Sequence, residues 1–92
     1  MRRRTRRNGL LAMPRCLLHH THRPQECGAA FVSFTGHGSP LRRRPTLGSC
    51  EFGGHEIWWD VSAASQREAL QLLPHYIAQR TTVVPVARLE IP

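Results

Sequence analysis

One stretch constrains this chain more than any other: Gly53-Gly54-His55-Glu56-Ile57-Trp58-Trp59-Asp60-Val61. Paired glycines take positive φ at no Cβ cost, which suits a tight hairpin turn. After them Ile57, Trp59 and Val61 alternate with Glu56, Trp58 and Asp60. That is the period of a strand buried on one face, and Ile, Trp and Val favour strands.

The rest of the chain is placed by what pairs with this strand. Pro14 to Thr21 reads as a first strand, ended by His22-Arg23-Pro24. Pro24 then opens a helix in which Cys27, Ala30, Phe31 and Phe34 share one face, with Gly36 as its stop. His37 to Pro45 is a loop around Arg42-Arg43-Arg44, and Thr46 to Phe52 is a second strand meeting Glu56 to Val61 through the Gly-Gly turn. Ser65-Gln66-Arg67-Glu68 has capping-box spacing and starts a helix that Pro74 must kink or divide. Thr81 to Ile91 is the last strand, and Pro85 assigns it to an edge.

The order β-α-β-β-α-β predicts an α+β fold of ferredoxin-like type: a four-stranded antiparallel sheet in the order 4-1-3-2 with two helices on one face. The opposite face would carry Glu56, Trp58 and Asp60, with Val84, Val86, Arg88 and Glu90 of the last strand. An apolar patch around Trp58 there favours a homodimer formed sheet to sheet.

Charge is unevenly spread. The net +7 comes largely from five of the thirteen Arg, which lie in Met1–Arg7; from Met13 onward eight Arg face six acids. The expected organisation is a basic arm at 1–12, outside the fold or upstream of a start at Met13, and a domain at 13–92. The balanced body argues against nucleic acid as the main partner, leaving the arm as the alternative route to it. No apolar run approaches the roughly 20 residues that span a bilayer. The arm lacks the apolar stretch of an export signal, so a reducing cytoplasm is the expected setting.

The layout Gly-Gly-His-x-x-Trp-Trp-x-Val-x-Ala, the Ser-x-x-Glu-Ala-Leu helix and the closing Val-x-x-Leu-Glu-Ile strand resemble small dimeric α+β-barrel proteins. They are more narrowly similar to short bacterial proteins of ferredoxin-like fold, some of whose relatives bind nickel. The resemblance implies a dimer with a pocket at the sheet, and leaves the ligand open.

Two sites follow as expectations. The first is a small-ligand pocket or interface on the open face at Glu56, Trp58, Asp60 and Arg88; Glu56 and Asp60 are four apart on a strand, about 13 Å, too far to act on one bond. The second is a nickel or zinc site at His20, His22 and His55, with Cys50 nearby, because imidazole and thiolate suit those ions. The competing reading leaves these histidines solvated at strand ends, or His55 as a brace for the hairpin. The three cysteines, Cys16, Cys27 and Cys50, show no C-x-x-C spacing and no even count. Arg42-Arg43-Arg44 could grip a carboxylate or phosphate, but without a Gly-rich cradle a solvated loop is the favoured reading. No catalytic constellation can be defended from spacing.

Overall fold

The computed structural model describes residues 15–92; the basic arm and the choice of start at Met13 lie outside the described residues. In chain order the elements are β1 (Arg15–Thr21), α1 (Cys27–Val32), β2 (Leu47–Gly48), β3 (Glu56–Ser62), α2 (Gln66–Gln71), α3 (His75–Ala78) and β4 (Thr81–Val86). Single 3-10 turns occupy Pro24–Glu26 and Cys50–Phe52. The strands form one antiparallel sheet in the order β2-β3-β1-β4. The class is α+β.

Strand alternation sets the layers. In the β1–β3 ladder Cys16 faces Val61, Leu18 faces Trp59 and His20 faces Ile57. All six are buried, on one side of the sheet. Ala30 of α1, Leu41 of the following loop, Ala69 of α2, Leu73 between the two later helices and Ile77 of α3 join them in a single core. Leu18 and Ile77 are fully buried, and each side chain contributes about 1.5–3 kcal/mol by leaving water.

Local chemistry sets the element ends. Ser65 Oγ accepts from the Glu68 amide at 3.1 Å, and Glu68 Oε1 reaches back to the Ala64 amide at 3.1 Å. Such a cap is worth about 1 kcal/mol. Pro74 cannot donate to the preceding turn, and the helix divides there into α2 and α3. Pro85 sits on β4, an edge strand, where a missing N–H costs no ladder bond.

Three expectations need correction. The first helix is only six residues long; it has turned off by Gly36 (φ 81°), and Phe31 is 58% exposed instead of facing the core. The second strand is Leu47–Gly48 alone, because Ser49 captures the chain and winds Cys50–Phe52 into a 3-10 turn, replacing the tight Gly-Gly hairpin. The last strand stops at Val86, opposite Arg15, so Arg88 and Glu90 lie beyond the sheet and do not line its open face.

Candidate metal centre

Three segments converge at the end of the sheet where β1 stops. β1 alternates, so His20 and the following His22 fall on the inward side with Leu18. The His22 amide donates to the His55 carbonyl at 3.2 Å, extending the pairing by one residue. Pro24 then turns the chain. Glu26 clamps that turn, accepting from the Arg23 amide at 2.8 Å and from the guanidinium of Arg23, and its other neighbour is Arg80. The Arg23 amide, then the Arg23 guanidinium, hold the Glu26 carboxyl at about 2. The clamp fixes where Cys27 starts α1.

Ser49 builds the second half. Its amide donates to the Glu56 carbonyl at 2.8 Å, and its hydroxyl accepts from the Glu56 amide at 3.0 Å. The amides of Phe52 and Gly54 both donate to the Ser49 carbonyl at 2.9 Å. This closed turn brings Cys50 and His55 side by side. A Cβ on Gly54 would run into Ser49 Oγ and stand 2.8 Å from Ser49 Cβ, so any side chain there forces the turn to shift. His55 itself adopts φ 52°, a left-handed conformation that costs energy in a residue with a Cβ.

As a result one ligand atom from each of His22, Cys27, Cys50 and His55 lies within 4.8 Å of the other three. His22 Nε2 is 3.6 Å from Cys50 Sγ. A tetrahedral ion with ordinary Zn–N and Zn–S bonds separates a nitrogen from a sulfur by about 3.6 Å. The His22 and His55 rings meet edge to face at 5.4 Å. His55 Nδ1 is buried and has no hydrogen-bond partner, a rare condition that asks for one. The cluster could hold a metal.

The hydrogen-bond pattern also selects the tautomer of His22. Thr81 Oγ1 donates to the Ile77 carbonyl at 2.7 Å, so it can only accept from His20 Nδ1, 3.5 Å away. The carbonyls of Ile77 and Arg80 lie against the same ring. With its proton on Nδ1, neutral His20 offers a lone pair at Nε2, and this meets His22 Nδ1 at 2.9 Å. His22 then keeps its proton on Nδ1 and points a free Nε2 at the sulfurs. Burial, then the neighbouring His22, pushes the His20 pKa down; burial, then His55, lowers that of His22. Both stay neutral near pH 7, the state that ligation needs. Burial, followed by the adjacent Cys27 thiol, pushes the Cys50 thiol up.

Of the residues expected to bind metal, His22 and His55 come together. His20 stands one step behind, against His22 instead of within the four. Cys50 belongs to the set, and Cys27 is the member sequence reasoning missed, since it also fits the apolar period of α1. The mirrored spacing His22-x4-Cys27 and Cys50-x4-His55, each pair straddling a turn residue, was the signal available.

The open-face residues go elsewhere. Glu56 Oε1 is 3.2 Å from His19 Nε2, Trp58 stacks on His19 at 5.5 Å, and Asp60 pairs with Arg15. Both carboxylates thus have partners on β1. The cleft beside Trp58 holds about 160 Å³.

No protein-family model, curated protein or solved structure matches this chain. No helix among the described residues is long and apolar enough to cross a membrane.

Proposed function

We propose that this chain is a small metal-binding protein that holds one zinc ion through His22, Cys27, Cys50 and His55. The observation that carries the reading is the convergence of four ligand atoms within 4.8 Å from the end of β1, the start of α1 and the two ends of the Ser49 turn. The orphaned His55 Nδ1 and the tautomer imposed on His22 support it. Two sulfurs and two nitrogens in a compact cluster favour tetrahedral zinc over nickel, which takes planar or tetragonal N,O sets. Four protein donors complete the shell, so the ion stabilises the fold and leaves no position for a substrate. Two reduced thiols as ligands suit the reducing compartment expected from the sequence.

Native mass spectrometry of the full chain purified from zinc-supplemented cells tests this. One zinc per chain is expected, absent from a Cys27→Ser/His55→Ala variant. A metal-free chain, or a metal content that the variant leaves unchanged, overturns it.

The ferredoxin-like arrangement and the homodimer stand as a second proposal. Read from β4, the strand order is 4-1-3-2. Leu17, Trp58, Val84 and Val86 lie on the face away from the core, and the two valines are each 40% exposed. A second copy would cover them. Sedimentation should give a dimer that Trp58→Glu dissociates; a monomer at micromolar concentration contradicts the proposal.

A further inference from the structure

A cleft of about 500 Å³ opens on the core side of the sheet, between β3 and the segment that joins α1 to β2. Phe34, Ile57 and Trp59 line it, with the rings of Phe34 and Trp59 6.1 Å apart and tilted by 48°. Phe31, the aromatic that leaves the core, lines it as well and is exposed. Beside Leu41 and Thr46, the opposite wall carries three cations: Arg42, Arg43 and Arg44 all border the same cavity. Three successive residues can do so because the chain doubles back at Arg43, whose φ is 64°. Among the described residues no carboxylate pairs with any of the three. Arg44 Nη2 donates to the Asp60 carbonyl at 2.8 Å, which leaves its charge uncompensated.

An aromatic wall beside unpaired guanidiniums selects an amphipathic anion. The volume is that of a small-molecule site. A flat apolar body gains by covering Phe31 and the Phe34–Trp59 corner. A carboxylate matches the planar fork of an Arg side chain. Free phosphate would meet the guanidiniums but leave the aromatic wall wet. We propose that this cleft binds a small organic carboxylate with a compact aromatic body, its charge held by Arg42 and Arg43. The proposal uses none of the four candidate metal ligands and stands apart from the zinc reading.

The test is calorimetry on the full chain, with and without one equivalent of zinc, using 2-naphthoate, its neutral carboxamide and inorganic phosphate. 2-Naphthoate should bind at one site per chain, with the carboxamide and phosphate each about tenfold weaker or more. Arg42→Gln/Arg43→Gln should bring naphthoate down to the level of the carboxamide. Both side chains are exposed, so circular dichroism should show the fold intact. Phe31→Ser, also on an exposed position, should weaken naphthoate and carboxamide alike. Equal affinity for naphthoate and carboxamide, phosphate as tight as naphthoate, unchanged binding in the double Arg variant, or no binding at about 1 mM would each overturn the proposal.

Discussion

His20 Nε2 lies 2.9 Å from His22 Nδ1 at a point sealed from solvent, with His20 wholly buried. This contact decides which nitrogen His22 turns toward the sulfurs. If His22 ligates the proposed ion, His20 is a positioning residue, holding the ring and tautomer of that ligand without being one.

His20→Leu should therefore lower zinc affinity about 10–100-fold while leaving one zinc per chain. His20→Gln, whose amide oxygen can accept from His22 Nδ1, should recover part of the loss. Competition against a chromophoric chelator measures both. Unchanged affinity in His20→Leu would remove the relay from the account, and complete loss of binding would make His20 a ligand after all.

The Ser49 turn makes a separate prediction. A methyl at position 54 would collide with Ser49 Oγ and stand 2.8 Å from Ser49 Cβ. Gly54→Ala should cost about 1–3 kcal/mol of stability, the range for forcing an extra carbon into a filled site. It should also weaken zinc binding, since the same turn sets Cys50 beside His55. Chemical denaturation with and without zinc reads the two effects; a neutral Gly54→Ala would show that the turn can relax.

Protonation supplies a third. The Cys50 thiol is pushed above its ordinary 9.0, so it carries a proton across the neutral range. Zinc must displace that proton, and calorimetry at pH 7.5 in buffers of differing ionisation heat should show at least about one proton released per zinc. Cys50→Ser should reduce that release. The His22 pKa is pushed below 6.5, so proton competition for its Nε2 sets in at a lower pH than at an ordinary histidine. This shift and the lowered pKa of His20 fix the stability of the metal-free protein. The unfolded state binds protons first, so the contribution of these two neutral histidines is fully present above about 6.5 and is lost as pH falls through their lower folded values. Urea midpoints of the metal-free protein between pH 7.5 and 5 should fall accordingly, and less so in His20→Leu.

Strand alternation was legible where burial is one-sided. Ile57, Trp59 and Val61 could be assigned to the core from the sequence because Glu56 and Asp60 interrupt them, and Ser65 and Pro74 marked helix boundaries by capping and by a missing donor. The second strand was not legible, since Thr46 to Phe52 carries strand-like spacing that Ser49 overrides with hydrogen bonds from its amide and to its hydroxyl. Cys27 was hidden for a similar reason: it keeps helical phase with Ala30 and Phe34, and only the return of the chain at Cys50 gives its thiol a neighbour. The Arg42-Arg43-Arg44 run was visible, but the aromatic residues beside it come from α1, the turn that follows it and β3, so nothing local distinguished it from a solvated loop.

Cobalt titration of the reduced full chain probes whether His22, Cys27, Cys50 and His55 together hold one metal ion. Saturation is expected at one Co²⁺ per chain, with the intense visible absorption of a tetrahedral ion and thiolate-to-metal charge transfer. Zinc should displace it, Cys27→Ser and Cys50→Ser should each diminish the charge-transfer band, and His55→Ala should weaken binding with both sulfurs retained. A weak octahedral spectrum, or a tetrahedral one that survives Cys27→Ser/Cys50→Ser, would rule out this four-residue site.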